Sequence, residues 1–223
     1  MIAINRRRYM GGGGGIPASS YIQSGLIALY DGIENAGAGS HSASATTWVD
    51  LVSGKNLSLI QGSANWGDSY FQFGTNRVFT ADASQWDSAL TIEVVCDVKP
   101  DGHLLQYKSD KVFTMSNSEY ITLTTGNVTM QGATLQSTNL SSFSANYTNK
   151  TVHQNNSLLS NSSRYSRSIV SETDNLILGM RYYSGYRQAT NIALYCLRLY
   201  NRELSAEEIA ANYAIDQQRF GLT

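Results

Sequence analysis

The run Leu90-Thr-Ile-Glu-Val-Val-Cys-Asp-Val98 alternates between two sets of side chains. Because successive residues of a strand point to opposite faces, its two faces carry Ile92, Val94, Cys96 and Val98, and Thr91, Glu93, Val95 and Asp97. One face looks into a core, and we expect the other to stay partly in water. A second run, Ile192 to Tyr200, is aliphatic on both faces, which is typical of a central strand. Two stacked antiparallel sheets satisfy both patterns.

The rest of the chain between Tyr21 and Tyr200 favours the same architecture. Short runs rich in β-branched and aromatic residues, such as Asn175 to Arg181, alternate with clusters of Gly, Asn, Asp and Ser. No run there has the 3.6-residue apolar period of a helix. The sequence therefore predicts an all-β body, and its 223 residues are enough for a single large sandwich.

One α-helix is predicted near the C-terminus. Ser205 to Glu208 has the Ser-x-x-Glu pattern of a capping box, and Leu204 and Ile209 are spaced as a hydrophobic staple. The helix is expected over residues 205–219, with Gly221 as its terminator. We expect it to pack against the outside of the sandwich.

The N-terminal residues 1–20 differ from the body, residues 21–223. Five consecutive glycines, Gly11 to Gly15, follow a basic stretch and cannot bury an apolar face. The segment is interpreted as an extended arm, either without a role or docking onto a partner through Arg6, Arg7, Arg8 and Tyr9. No apolar run follows the arginines, so no secretory signal is predicted.

Charge and composition exclude several classes of protein. Only 15% of residues are charged and the formal net charge is −1, so no long-range field gathers phosphates, and we expect no nucleic-acid partner. The hydrophobic share of 42% argues against a disordered chain. Residues 9–30 are uncharged but too polar for a membrane span, so no membrane insertion is expected. The expected partners are neutral and polar.

Three segments carry a resemblance to a known fold family. They are Gly25-Leu-Ile-Ala-Leu-Tyr-Asp-Gly32, Thr47-Trp-Val-Asp-Leu-Val-Ser-Gly-Lys-Asn-Leu57, and Ile192-Ala-Leu-Tyr-Cys-Leu-Arg-Leu-Tyr-Asn-Arg-Glu-Leu-Ser-Ala-Glu-Glu-Ile-Ala-Ala-Asn-Tyr213. Over residues 21–220 the chain resembles concanavalin A-like, laminin-G-type domains. The resemblance implies a two-sheet antiparallel jelly-roll sandwich. That architecture includes lectins, hydrolases and adhesion or assembly modules, so it does not assign a function.

A second resemblance concerns the order of the segments. An Arg- and Gly-rich leader followed by the stretch Tyr21 to Ala36 is similar to proteins encoded by phages and prophages of gut bacteria of the Bacteroidales type. It implies a virion component of fibre or decoration type, made in the bacterial cytoplasm. Its expected partners are other virion proteins, bound through the arm, and further copies of the chain in a homo-oligomer.

Catalytic patterns are missing from the sequence. Sandwiches of this kind that cut polysaccharides carry closely spaced carboxylates on one strand, whereas Glu93 and Asp97 would lie about 13 Å apart at about 3.3 Å per residue, which exceeds the useful range. The three histidines, His41, His103 and His153, are scattered and form no zinc pattern. We therefore predict that the protein is not an enzyme.

Sugar binding requires aromatic faces flanked by planar polar groups. The first candidate is the loop from Arg181 to Arg187, with Tyr182, Tyr183, Tyr186 and Arg187 as ligand-binding residues. The second is the polar turn that carries Trp66 and Tyr70. Packing in the core or at an interface is the alternative for both.

Calcium and disulfide chemistry stay open at this point. Asp31, Glu34 and Asn35 follow the first strand and are candidate calcium ligands, with solvated turn residues as the alternative. No other cofactor is expected. Cys96 and Cys196 are either buried free thiols or a disulfide between neighbouring strands.

These observations lead to one functional hypothesis and two alternatives. The hypothesis is a non-enzymatic phage virion protein whose lectin-like domain binds glycans on the bacterial surface. The alternatives are a pure assembly or decoration module, and a glycoside hydrolase whose catalytic pair comes from distant strands.

Overall fold

The computed structural model describes residues 15–223 except 75–76, 82–87, 98–101, 108–110, 117–119, 126–127, 135–138, 150, 160–162, 167–175, 184–185 and 190. Residues 102–103, 106–107, 111–116, 120–125, 128–134, 163–166, 176, 180–183 and 186–189 are described by their backbone alone. The predicted docking residues Arg6, Arg7, Arg8 and Tyr9 lie outside the described part. Within it, Ala18–Ser20 form a short 3-10 turn, and Ala18 is buried.

The described strands, in chain order, are β1 (Leu26–Asp31), β2 (Thr47–Trp48), β3 (Leu57–Gln61), β4 (Phe71–Gln72), β5 (Val78–Ala81), β6 (Thr91–Cys96), β7 (Gly102–Tyr107), β8 (Lys111–Ser116), β9 (Tyr120–Thr125), β10 (Val128–Thr134), β11 (Ser141–Asn146), β12 (Thr151–Gln154), β13 (Ser157–Leu158), β14 (Ser163–Ser166), β15 (Leu176–Leu178), β16 (Met180–Tyr183), β17 (Tyr186–Ala189) and β18 (Ala193–Tyr200). One α-helix, α1 (Ala206–Phe220), follows them in the described part of the chain.

The strands form two large antiparallel sheets. The first has the order β1-β18-β6-β11-β12-β13, with β4 also paired to β18. The second has the order β14-β10-β9-β8-β7-β15-β5-β3-β2. The hairpin β16-β17 is a separate two-stranded sheet. This arrangement confirms the predicted all-β, two-sheet antiparallel sandwich.

The main core lies between the two large sheets. Its largest fully buried aromatic side chains are Trp48, Tyr30, Phe71, Phe73, Phe79 and Phe143. Two residues of the motifs that carry the family resemblance attach the segment around β2 to β1. Trp48 Nε1 donates to the Asp31 carbonyl, and Asp50 Oδ1 accepts from the Leu29 amide. Burial of this aromatic cluster from both sheets is the main favourable contribution to the sandwich.

The expectation for the second face of β6 is wrong. Thr91, Glu93 and Val95 were expected to stay partly wet, but all three are buried, and Glu93 is only 2% exposed. Helix α1 covers the outer face of the first sheet, where Val95 packs in a second apolar cluster with Leu204 and Ile209 of the helix region. The predicted central strand β18, between β1 and β6, is buried on both faces except at Tyr195, which is half-buried.

The C-terminal helix agrees with its sequence pattern. Ser205 is the N-cap, its side chain accepts from the Glu208 amide, and Glu208 accepts from the Ser205 amide, so the capping box is complete. Gly221 ends the helix in the left-handed region at φ 71°. The observed helix, Ala206–Phe220, differs from the prediction by one residue at each end.

Gly179 interrupts the predicted strand Asn175 to Arg181. Its φ of 85° lies in the left-handed region, and a Cβ there would overlap the Phe73 ring. The chain leaves the second sheet at this glycine, whose amide donates to the Leu104 carbonyl at 2.9 Å. The segment that follows was predicted as a loop, but the structure has it as the hairpin β16-β17.

Substitution of Gly179 should destabilise the fold. We expect Gly179→Ala to lower the free energy of unfolding by about 2 kcal/mol or more, because a left-handed backbone and the Phe73 overlap are both penalised. Chemical denaturation measures the loss. Gly54→Ala is the matched control, since Gly54 has φ 72° but open space around it. This variant should lower the free energy of unfolding only by the cost of the left-handed backbone, about 1 kcal/mol. Equal losses in both variants would contradict the steric argument.

Candidate functional site

The hairpin β16-β17 carries the first predicted set of ligand-binding residues. Its register pairs Tyr182 with Arg187 and Tyr183 with Tyr186. Adjacent strand positions belong to opposite faces, so the two pairs occupy different faces of the ribbon. The hairpin belongs to neither main sheet. Its aromatic residues therefore lie on two strands that pair with each other and not with the described strands of the main sheets.

Trp66, in the second predicted set, packs onto the sandwich core. Its indole centroid lies 4.8 Å from those of Trp48 and Phe71, both in edge contacts. Its Nε1 donates to the Ala45 carbonyl at 2.8 Å. The side chain is half-buried, and its ring and N–H both have protein partners.

Tyr70 contacts a different part of the molecule from Trp66. Its ring centroid lies 5.0 Å from that of Tyr195 in β18, with the planes tilted by 41°. The Tyr195 ring in turn contacts Phe220, at the end of α1, at 5.7 Å. We call these three half-buried residues, Tyr70, Tyr195 and Phe220, the aromatic row.

Asp31, Glu34 and Asn35, the predicted calcium ligands, are buried and have protein partners. Asp31 Oδ1 accepts from the amides of Ile33 and Glu34. The guanidinium of Arg219 lies 2.8 Å from Asp31 Oδ1 and 3.3 Å from Glu34 Oε1. The Asn35 side chain exchanges two hydrogen bonds with the backbone of Ser42, as acceptor from its amide and donor to its carbonyl.

The Asp31 loop also holds the start of the described chain. Glu34 Oε1 accepts from the Ala18 amide at 3.0 Å, and Arg219 Nη1 donates to the Ile16 carbonyl. Burial raises the pKa of Asp31, against the lowering effect of the Arg219 charge. Across the described ranges, no three His, Cys, Asp or Glu side chains are grouped so that they could hold a metal ion.

A buried charged network that the sequence analysis missed lies under α1. Arg198 donates from Nη1 and Nη2 to Asp216 Oδ1 and Oδ2 at 2.6 and 2.8 Å, and from Nε to Glu93 Oε2 at 2.8 Å. We call Glu93, Arg198 and Asp216 the buried triad. All three side chains are at most 2% exposed. The sequence feature that indicates this network is one charged residue in each of two otherwise apolar strands, Glu93 in β6 and Arg198 in β18.

Neighbouring polar groups complete the hydrogen bonding of the buried triad. Asp216 accepts from the hydroxyls of Tyr21 at 2.8 Å and Ser142 at 2.7 Å. The side-chain amide of Asn212 donates to Glu93 at 2.7 Å and to the Tyr200 hydroxyl at 2.9 Å. The network therefore joins the N-terminal segment, three strands and the helix.

The buried triad has two carboxylates for one guanidinium. Burial raises the pKa of Glu93 against the lowering effect of the Arg198 charge, and the Asp216 charge raises this pKa further. Such a network is costly to leave half-paired, because an unmatched buried charge loses its hydration without compensation. All three groups are buried and paired with one another, which indicates a structural role.

Removal of the single cation tests this interpretation. We expect Arg198→Met to lower the free energy of unfolding by about 3 to 5 kcal/mol, because Glu93 and Asp216 are left buried and unpaired. Adding Glu93→Gln and Asp216→Asn should recover part of the loss, since the unmatched charges are then gone. Urea denaturation measures both effects. Asp68→Asn, at an exposed carboxylate, is the control, and a triple variant no more stable than Arg198→Met would contradict the charge argument.

The two cysteines are free and buried. Cys96 lies in the core between the sheets, whereas Cys196 lies in the cluster beneath the helix, so neighbouring strands present them to opposite faces. Burial raises the pKa of both thiols above the ordinary value, so neither is a reactive thiolate. The free-thiol alternative is the one observed.

Comparison with known proteins defines the class of fold. No protein-family model and no curated protein matches the sequence. Among solved structures, a mutant Trypanosoma rangeli sialidase with trans-sialidase activity is similar, with a TM-score of 0.58 and 14% identity over 89% of this chain. The match covers 34% of the sialidase, so this chain spans about a third of the length of the sialidases it resembles.

Two binding domains share the fold as well. A receptor binding domain matches with a TM-score of 0.53 and 11% identity, over 85% of this chain and 50% of its own. The binding domain of botulinum neurotoxin serotype D/C has a TM-score of 0.50 and 11% identity, over 85% and 52%. At these identities the likeness shows the fold alone, an all-β architecture found in carbohydrate-active and receptor-binding proteins.

The prediction that the protein is not an enzyme is contradicted by the sialidase matches. That prediction rested on the missing pair of closely spaced carboxylates. The matches point to a glycoside hydrolase-like fold, and they cover about a third of each sialidase. Helix length gives one further result: within the described ranges, no helix is long and apolar enough to cross a membrane.

Proposed function

We propose that the protein is a glycan-binding β-sandwich. The observation that carries this proposal is the β16-β17 hairpin, a strand pair outside both main sheets with tyrosine or arginine at four of its central positions. Tyrosine rings stack on the C–H faces of sugar rings, and arginine donates to their hydroxyl or carboxylate oxygens.

The fold comparisons support the same class of ligand. One similar structure is a Trypanosoma rangeli sialidase in complex with sialic acid, and two others are binding domains. We extend the proposal to polysaccharides of the bacterial surface on the basis of the sequence resemblance to phage proteins. The phage resemblance also supports a fibre or decoration protein of a virion, and the separate resemblance of three segments to laminin-G-type domains supports a sandwich of that type.

Paired substitutions in the hairpin test glycan binding. On a glycan array that includes capsular polysaccharides, we expect either Tyr183→Ala with Tyr186→Ala, or Tyr182→Ala with Arg187→Ala, to weaken binding at least about tenfold, which is about 1.4 kcal/mol. Because the two pairs occupy opposite faces, the other double variant is the matched control and should bind as the wild type does. The same samples are assayed for sugar release, since sialidases share the fold.

Two outcomes would contradict the hairpin assignment. One is no glycan binding by the wild-type protein, which would favour the alternative of an assembly module. The other is unchanged binding in both double variants while their melting temperatures equal that of the wild type.

The N-terminal arm is proposed to attach the protein to other virion components through Arg6, Arg7, Arg8 and Tyr9. Deletion of residues 1–14 should leave the melting temperature unchanged, because the described contacts of the N-terminal segment, at Ile16 and Ala18, are retained. Incorporation into particles, measured by immunoblot of purified virions, should be lost. Incorporation of the deleted chain at the wild-type level would contradict the docking role.

A further inference from the structure

The aromatic row lies on the outer face of the first sheet, with the apolar cluster beneath the helix. The register of β4 and β18 pairs Phe71 with Leu194 and Gln72 with Ala193, so Tyr70 and Tyr195 are the next cross-strand neighbours. Phe71 and Leu194 point into the core, and Tyr70 and Tyr195 therefore belong to the opposite face. Phe220 extends the row from the end of α1.

Backbone close to Tyr70 fixes the first ring of the row. The Gly67 amide donates to the Tyr70 carbonyl at 2.9 Å, and a Cβ on Gly67 would lie 2.5 Å from two atoms of the Tyr70 ring. The ring thus packs directly over the glycine backbone. A rotamer held in this way loses little further entropy when a ligand binds.

The helix end fixes the third ring. Arg219, the residue before Phe220, is paired with Asp31 and Glu34, and its guanidinium carbon is 5.8 Å from the Phe220 ring centroid. Only 2% of the Arg219 side chain is exposed. The cation therefore positions Phe220 but presents no charge to a ligand on the surface.

The polar groups beside the row are amides and one carboxylate. Gln72, two positions after Tyr70 on the same face, donates to Asn191 Oδ1 at 3.0 Å and to the Phe73 carbonyl at 3.0 Å. Asn191 is exposed, and so is Asp68, two residues before Tyr70. Planar amides donate to and accept from sugar hydroxyls, whereas an exposed carboxylate repels an anionic sugar.

We infer that the aromatic row, with the Gln72–Asn191 amide pair, is a second carbohydrate-binding site, and that its ligands are neutral pyranosides. The inference rests on the proposed function for its class of ligand and uses different residues. Tyr70, Tyr195 and Phe220 supply the stacking faces, and the amide pair supplies the hydroxyl contacts. The expected preference for neutral sugars differs from the ligand of the sialidase complex, because sialic acid is an anionic sugar.

The test uses the full chain with all four hairpin substitutions, Tyr182→Ala, Tyr183→Ala, Tyr186→Ala and Arg187→Ala. Isothermal titration with cellohexaose and maltohexaose as neutral probes should still show saturable binding of at least one of them. Sialyllactose should bind at least about tenfold more weakly than that probe, or about 1.4 kcal/mol. Adding Asp68→Asn should reduce this difference in affinity between sialyllactose and the neutral probe, because it removes the carboxylate that repels the anionic sugar.

Substitution in the row completes the test. Adding Tyr70→Ala should weaken neutral binding at least about tenfold, again about 1.4 kcal/mol. Ile60→Ala, which removes an exposed apolar side chain from the second sheet, is the matched control and should leave binding unchanged. Near-ultraviolet circular dichroism and the melting temperature verify that each variant is folded.

The outcomes separate this inference from the proposed hairpin site. If the four hairpin substitutions abolish all glycan binding, the second site is refuted and the hairpin proposal stands. If neutral-sugar binding persists in that variant and Tyr70→Ala weakens it no more than Ile60→Ala does, the second site is refuted and the remaining binding lies at neither proposed site. Sialyllactose binding as tight as that of the neutral probes would overturn the preference for neutral sugars. If the hairpin substitutions change nothing and Tyr70→Ala removes binding, the aromatic row stands and the hairpin proposal fails.

Discussion

The bidentate ion pair between Arg198 and Asp216 joins the central strand of the first sheet to the C-terminal helix, with Glu93 on the neighbouring strand as the second acceptor. A guanidinium in an apolar layer must have all its charge matched, because burial removes the water that would otherwise solvate it. The helix therefore has one position on the sheet in which every group of the triad is paired. The outer apolar cluster alone would favour contact without setting this register.

The position of the helix determines what the outer surface of the molecule presents. Tyr21 donates to Asp216, and Arg219, one turn further along, engages Asp31 and Glu34. The loop after β1, the N-terminal segment and the helix end are consequently held as one unit. Phe220 reaches Tyr195 only because of this arrangement, so the binding surface proposed on the outer face is a product of the same buried charges.

Local patterns in the sequence predict the sandwich and its helix well. The alternation along β6, the apolar run of β18 and the capping box at Ser205 each act within a few residues, so they can be identified in the sequence alone. The site depends instead on distant residues. Nothing near Glu93 indicates that a helix more than a hundred residues later will bury it, and nothing near Tyr70 indicates Phe220 as a neighbour. The sialidase likeness was missed because it lies in backbone shape, at 14% identity.

The strand order of the first sheet has a consequence for synthesis on the ribosome. β18 lies between β1 and β6, so the nascent polypeptide must leave a gap in this sheet until residue 200 has emerged. Before then β1 and β6 expose unpaired edges, which are templates for aggregation. The Arg219 contact with the Ile16 carbonyl then closes the two ends of the described chain on each other. The first sheet is therefore completed only after β18 has been synthesised, and chaperones that shield strand edges would have most effect before that point.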